Sequence, residues 1–282
     1  MKRDVKRIAI CIDDYGLHPA VDEAILALID KGRVTATSCM VAAPAWQYDA
    51  ARLKEAFDAG RVDAGLHLDL TECTMDSRNA RSLGALMRDT VLRRVDRDAV
   101  LGEIRAQLDA FEAAMQRAPS HVDGHQHVHQ FPVVRDLLVG ELLRRYGKGK
   151  LPWLRRTRGA ARWRFKGHVI EAMGAHALER MAHAHGFAQN TSLLGVYDFR
   201  GGPQRFRRLL AQWLHDARDG DLLMCHVATA ILPGDEIARP RVDEYGVLAG
   251  DGFDAMVGEA AVALAPLSRI VGLQEDGEPI RM

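Results

Sequence analysis

The stretch Arg7-Ile-Ala-Ile-Cys-Ile-Asp-Asp-Tyr-Gly-Leu-His-Pro19 decides how this chain is read. The unbroken apolar run from Ile8 to Ile12 describes a strand buried on both faces. Two carboxylates, Asp13 and Asp14, end it. His18 then stands near the cap of a helix, with Pro19 in the first turn, where a missing N–H costs nothing. That helix carries Val21, Ile25 and Leu28 on one face and stops near Gly32.

The same unit recurs toward the C-terminus. Val34 to Val41 and Val62 to Leu68 read as strands, with a helix from Pro44 to about Asp58 between them. A long connection, roughly residues 69–95, leads to the helix of clearest period, about Arg97 to Arg117. Its Leu101, Ile104, Leu108, Phe111 and Met115 fall on one stripe. Ser120 to Gly124 is a fourth strand, followed by a helix from Pro132 to about Tyr146. Trp153 to Thr157, Ser192 to Gly195 and Asp221 to Cys225 are further strands, with helices centred near Met173, Leu209 and Val257 among them. Repeated strand–helix units with right-handed crossovers give a parallel sheet. About seven of them predict an α/β fold, a distorted (β/α) barrel, as a single domain over residues 1–282. Chemistry in such barrels sits at the C-terminal ends of the strands.

Composition narrows the function classes. The chain balances at a net charge of zero, which excludes the basic face of a nucleic-acid binder. No stretch approaches the roughly 18 apolar residues of a membrane span, and the Ile8–Ile12 run is too short for a secretory signal. Cys11, Cys39, Cys73 and Cys225 form no C-x-x-C pair, and buried free thiols are the simplest account. A cytoplasmic protein without nucleic-acid partner or membrane insertion is expected. Arg155, Arg156, Arg158, Arg162 and Arg164 crowd a stretch ending at Lys166, read as a solvated basic loop inserted in the domain. An anionic-substrate contact is the alternative.

The polar residues converge on this frame. Asp13 and Asp14 end strand one, His67 ends strand three, Asp123 and His125 end strand four, and His226 ends the strand from Asp221. Four strands therefore deliver carboxylates or imidazoles to one end of the sheet. Taken singly, Asp13-Asp14 could be turn chemistry, and His67 or His226 a satisfied core histidine. The densest cluster is His121-Val-Asp-Gly-His-Gln-His-Val-His129, whose incidental reading is a surface histidine tract. On an extended strand its alternate residues, His121, Asp123, His125, His127 and His129, would share a face. They cannot all reach one ion, since each two-residue step advances about 6.6 Å. A turn after Gly124 would instead let His129 swing toward the site; His125 is the expected ligand and His129 the reserve.

One carboxylate and two imidazoles around a divalent ion leave positions open, the make-up of a catalytic site. Adjacent carboxylates at a strand end face different ways, so Asp14 is assigned to the metal and Asp13 to the general base. His226, across the pocket, is the expected acid, because an imidazole titrates near neutral pH.

Four blocks carry a family resemblance: Ile-Asp-Asp-Tyr-Gly-Leu (12–17), Gly-Leu-His-Leu-Asp-Leu-Thr-Glu (65–72), His-Val-Asp-Gly-His-Gln-His-Val-His (121–129) and Leu-Met-Cys-His (223–226). In that order they resemble the signatures of the YdjC-like carbohydrate deacetylases, which include chitooligosaccharide deacetylases and a branch associated with hopanoid biosynthesis. The resemblance implies a polysaccharide-deacetylase-like barrel, one divalent ion (Mg2+ or Zn2+), a small carbohydrate substrate and a homodimer. It implies Asp14, His67 and His125 as metal ligands, with Asp13 as base and His226 near the scissile amide. Gly124 stands where the family usually has serine, Tyr15 where phenylalanine is usual, and the arginine-rich stretch matches no family pattern. The function expected is hydrolysis of an N-acetyl group on a sugar. The alternatives are a metal-dependent phosphoesterase or amidohydrolase, whose sites commonly hold two bridged ions, and a barrel that only binds.

Overall fold

The computed structural model describes residues 5–159 and 171–272. Its elements run β1 (Lys6–Tyr15), α1 (Pro19–Asp30), β2 (Ala36–Cys39), α2 (Trp46–Asp58), β3 (Asp63–Leu68), α3 (Leu83–Val91), α4 (Arg97–Met115), β4 (His121–Gly124), α5 (Val134–Tyr146) and β5 (Trp153–Leu154). After β5 come α6 (His176–His185), β6 (Leu193–Leu194), α7 (Gly202–Asp216), β7 (Leu222–Cys225), α8 (Ala238–Ala249), α9 (Phe253–Glu259), β8 (Val262–Leu264) and α10 (Leu267–Ile270).

All pairings are parallel, and the strand order is β5-β4-β3-β2-β1-β7-β6, with β8 joining the start of β1. The two ends of this path meet along an irregular seam. Leu154 N donates to Ala188 O, Leu193 N donates to Arg158 O, and Gly159 pairs with Leu193. The sheet thus curls into the distorted (β/α) barrel that the repeated unit predicts.

The alternation along β1 sorts its side chains. Ile8, Ile10 and Ile12 join the core shared with the helices, while Ala9 and Cys11 face Ala36, Trp153, Leu193, Leu222 and Met224. That inner set mixes small residues from some strands with the indole of Trp153, so the barrel is filled by side chains. His121 belongs here: its ring stacks on Trp153 with centroids 4.0 Å apart and bonds Ser38 Oγ at 3.0 Å. Gly65 on β3 is what makes room, since a Cβ there would run into the His121 ring. Burial pushes the His121 imidazole down to about 3, so it is a neutral packing residue. Cys11, Cys39 and Cys225 are buried free thiols, and Cys73 is half-buried. No helix among the described residues is long and apolar enough to cross a membrane.

Four elements depart from the hydrophobic reading. The long connection contains α3, and α8, β8 and α10 lie beyond the last expected strand. The buried face of α8 is Arg241, Glu244 and Leu248, so it carries no apolar stripe to read.

Candidate active site

The end of β1 is irregular. Its register against β2 shifts between Ile12 and Tyr15, and Asp14 takes a left-handed backbone with φ 73°. Such a conformation is uncommon outside glycine and clusters at functional sites. The bulge splits the two carboxylates. Asp14 Oδ1 lies 3.2 Å from His125 Nδ1 and 3.4 Å from His67 Nε2, while its Oδ2 accepts from Arg241 Nη2 at 2.7 Å. Asp13 points the other way, into a two-pronged bond from Arg155, whose Nη1 and Nη2 reach its two oxygens at 2.7 Å each. Burial resists both charges, but Arg155 holds the Asp13 carboxyl below its usual range, and Arg241 with the two histidines holds Asp14 well below.

His67 is fixed from behind. Its Nδ1 lies 2.6 Å from Asp123 Oδ1, and the other Asp123 oxygen accepts from Ser38 Oγ at 2.6 Å and pairs with Arg155 Nη2 at 2.5 Å. Burial opposes the Asp123 charge, yet Arg155 and His67 keep it ionised, so His67 Nδ1 is the donor and Nε2 faces Asp14. A carboxylate behind a histidine in this way fixes tautomer and ring orientation for a metal. Ligand atoms of Asp14, His67 and His125 all lie within 4.8 Å of one another. Burial works against protonation of His67, but Asp123, Asp13 and Asp14 outweigh it and lift the imidazole to about 9. The pocket is short of positive charge, which a divalent cation supplies. Two neighbouring groups, Asp13-His67-Asp123 and Cys11-His121-Asp123, have the composition of metal sites. Both border the buried guanidinium of Arg155, which already supplies a cation there. The donor set that fits an added ion is therefore Asp14, His67 and His125.

All five expected site residues, Asp13, Asp14, His67, His125 and His226, line one cleft of about 660 Å³. Leu17, Val196, Tyr197, Phe199, Leu232 and Ile237 add apolar surface to its lining. His226 follows β7; its backbone N–H donates to Glu244 Oε2 at 2.8 Å, and its ring meets Phe199 edge-on at 5.5 Å. The expectation that it titrates near neutral pH is corrected: burial pushes it down to about 4, and the imidazole is neutral at pH 7. A second cleft, of about 450 Å³, opens among the N-terminal strand ends around Asp63, Ser120 and Arg145 and holds none of these residues.

A model of the YdjC-like protein family matches residues 7–259. The chain belongs to the YdjC-like family. Among curated relatives, it is 33% identical over 178 residues to a human carbohydrate deacetylase, covering 58% of this chain and 53% of that one. A chitooligosaccharide deacetylase of Yersinia enterocolitica is 29% identical over 142 residues, 47% of this chain and 54% of its own length. The chain thus spans about half the length of these relatives. A carbohydrate deacetylase of Clostridium beijerinckii matches at 25% identity over 92% of this chain and 97% of its own. At the level of fold, a crystal structure from Enterococcus faecalis, described as a candidate cellobiose-phosphate cleavage protein, superposes with a TM-score of 0.69 at 20% identity. It covers 95% of this chain and 99% of that one. A peptidoglycan N-acetylglucosamine deacetylase superposes with a TM-score of 0.51 at 12% identity, covering 95% and 88%.

Within this YdjC-like site several sequence expectations are corrected. Of the two shapes open to the histidine block, an extended strand and a turn after Gly124, the structure has the turn, but the turn does not bring His129 to the site. β4 ends at Gly124, and His125 to Gln130 form a tight turn in which Gln126 and His127 are left-handed, at φ 50° and 61°. The block therefore points several ways. His121 packs inside the barrel, His125 faces Asp14, and His129 turns its Nε2 to Arg155 O at 3.2 Å rather than toward the ion position. Burial pushes His127 down to about 3 and His129 to about 4.

Arg155 is not part of a solvated loop. It is fully buried, and its guanidinium ties Asp13, Asp123, Ser38 and Cys11 together. Arg156 and Arg158 pair with Glu179, while Arg162, Arg164 and Lys166 lie outside the described residues. The sequence signal for Arg155 was its place straight after the apolar pair Trp153-Leu154, the same strand-end position as Asp13. Arg241 and Glu244 had no such signal.

Proposed function

We propose that this protein is a metal-dependent hydrolase that removes the acetyl group from an N-acetylated sugar or oligosaccharide. The observation that carries the reading is the convergence of Asp14, His67 and His125 beside Asp13 and His226 in one cleft. The carbohydrate deacetylases among its relatives support the choice of bond. Asp14, His67 and His125 would hold one divalent ion. When bound, that ion would polarise the amide carbonyl and acidify a water. Two imidazoles favour zinc or another transition ion over magnesium, which prefers oxygen donors.

The chain's own groups supply the proton traffic. Arg155 keeps Asp13 ionised and fixes its carboxylate plane, leaving further lone-pair directions on the oxygens to take a proton from the attacking water. His226, neutral at rest, relays to the departing amine nitrogen the proton that Asp13 takes from the water, and is an imidazolium only while it carries that proton. Asp123 and Ser38 hold His67 so that it does not turn as charge builds up. The apolar surface at Tyr197 and Phe199 excludes water and suits the flat, C–H-rich face of a sugar ring.

The test is acetate release from a panel of N-acetylated mono- and oligosaccharides by metal-replete protein. Release that disappears on chelation and returns on adding about one ion per chain supports the proposal. Folded, metal-loaded protein that releases no acetate from any of them contradicts it.

A further inference from the structure

We infer that Glu72 is a positioning residue for His125, doing for that histidine what Asp123 does for His67. The inference rests on reading His125 as a ligand.

Of the two histidines in the candidate metal centre, His67 has one nitrogen toward Asp14 and the other on a carboxylate. His125 repeats the pattern with its nitrogens exchanged. Its Nδ1 lies 3.2 Å from Asp14 Oδ1, and its Nε2 lies 3.2 Å from Glu72 Oε1. The two are within ion-pair distance, although Nε2 is not aligned on Glu72 as a hydrogen bond; the nearby negative charge favours the proton on Nε2, which leaves the Nδ1 lone pair facing Asp14. That is the tautomer a ligand needs, and a carboxylate partner also makes the imidazole more basic toward a cation.

Glu72 lies in the connection after β3, yet its backbone is held in place. The buried Asp69 carboxylate accepts from Thr71 N at 2.7 Å, Cys73 N at 2.6 Å and Glu72 N at 3.2 Å. Asp69 is in turn clamped by Gln107 on α4, which accepts from its N–H at 3.1 Å and donates to its carbonyl at 2.6 Å. Glu103, one turn earlier on α4, takes Met75 N at 2.6 Å. These two polar residues interrupt the apolar stripe of α4, and the anchored loop is their physical reason. From the other side, Gln126 Nε2 donates to the same Glu72 oxygen at 3.1 Å. The His125 turn and the Glu72 loop are thereby tied together over the ion position.

The Glu72 side chain is 52% exposed, so its removal opens no cavity in the core. This separates a positioning role from a structural one. It also separates the role from simple contact with substrate, which would not change the protein's hold on an ion.

The experiment uses the full chain stripped of metal and titrated with Zn2+ against a chromophoric chelator. The proteins are the parent, Glu72→Ala, Glu72→Gln and His125→Ala. Loss of the partner carboxylate is expected to weaken Zn2+ binding roughly 10- to 100-fold in Glu72→Ala. Glu72→Gln should fall between it and the parent, because the amide keeps a polar oxygen beside Nε2 but loses the charge. The metal-free melting temperatures of the two Glu72 variants should match the parent, and with Co2+ the visible spectrum of Glu72→Ala should shift. Parental Zn2+ affinity in Glu72→Ala, beside weakened binding in His125→Ala, overturns the role of Glu72 alone. Parental affinity in His125→Ala overturns both this role and the ligand reading on which it rests.

Discussion

Replacing Arg155 by methionine tests the electrostatic frame of the site. Arg155→Met keeps most of the buried stem and removes a guanidinium that contacts Asp13 at 2.7 Å and Asp123 at 2.5 Å. Asp123 retains His67 and Ser38, but Asp13 loses both of its strong donors. Breaking a buried ion pair by deleting one partner costs roughly 3–5 kcal/mol, because the other charge stays buried and uncompensated. For a chain of this size that is a fall in Tm on the order of 10 °C. The pH dependence has a definite sign. In the parent, Arg155 depresses the Asp13 pKa, so the pairing stabilises the fold above the ordinary carboxylate range and is lost as pH falls through the lowered value. In Arg155→Met, burial and the nearby Asp123 charge act against His67 alone and lift Asp13 above that range. The variant's deficit should therefore be largest near pH 7 and shrink toward pH 5, where Asp13 can take up a proton. The acid limb of any turnover profile that needs ionised Asp13 moves up with it. Urea denaturation of both proteins at pH 5 and pH 7 measures the deficit. A variant as stable as the parent at pH 7, with an unmoved acid limb, would refute the reasoning.

Other outcomes follow from the same geometry. Asp13→Asn should reduce acetate release by roughly 10²- to 10⁴-fold, the usual worth of a general base, while Zn2+ content by elemental analysis stays at the parent level. Arg241→Met should weaken Zn2+ retention, since Arg241 Nη2 orients Asp14 Oδ2 at 2.7 Å; dialysis against a chelator reads the loss. Asp22 is buried with Oδ1 on Gly16 N at 2.6 Å, and burial lifts its carboxyl to about 8. The folded state holds a proton there that the unfolded chain has lost, so stability falls as pH rises from about 4 through 8. Asp22→Asn mimics the protonated form and should gain more than about 1.4 kcal/mol over the parent at pH 8, one pKa unit being about 1.36 kcal/mol; chemical denaturation at pH 5 and pH 8 checks it. Gly65→Ala, which drives a methyl into the His121 ring, should cost roughly 1–3 kcal/mol by the same method.

The barrel was legible because its signals are local. Strand β1 announces itself in one apolar run, α4 in one stripe, and the crossover rule converts their repetition into a parallel sheet. The gathering of Asp13, Asp14, His67, His125 and His226 was legible for the same reason, since each follows an apolar run at the same end. What escaped was whatever depends on partners far away in the chain. Arg155 looks like one arginine in a basic stretch until Asp13, 142 residues earlier, is placed against it. Arg241 and Glu244 sit on a helix whose buried face is polar, so periodicity had nothing to report. The direction of each histidine in the block was not legible, for a conformational reason. Alternation holds only while the backbone stays extended, and left-handed Gln126 and His127 end it. Glu103 and Gln107 were hidden inside an otherwise apolar stripe, where only the Asp69 loop explains them.

An anomalous-scattering crystal structure of the full chain grown with Zn2+ bears most directly on the whole account. A single strong peak bounded by the side chains of Asp14, His67 and His125, with Asp13 still on Arg155, is the predicted result. A peak held by other residues, or two peaks bridged by Asp13 or Asp123, would contradict it.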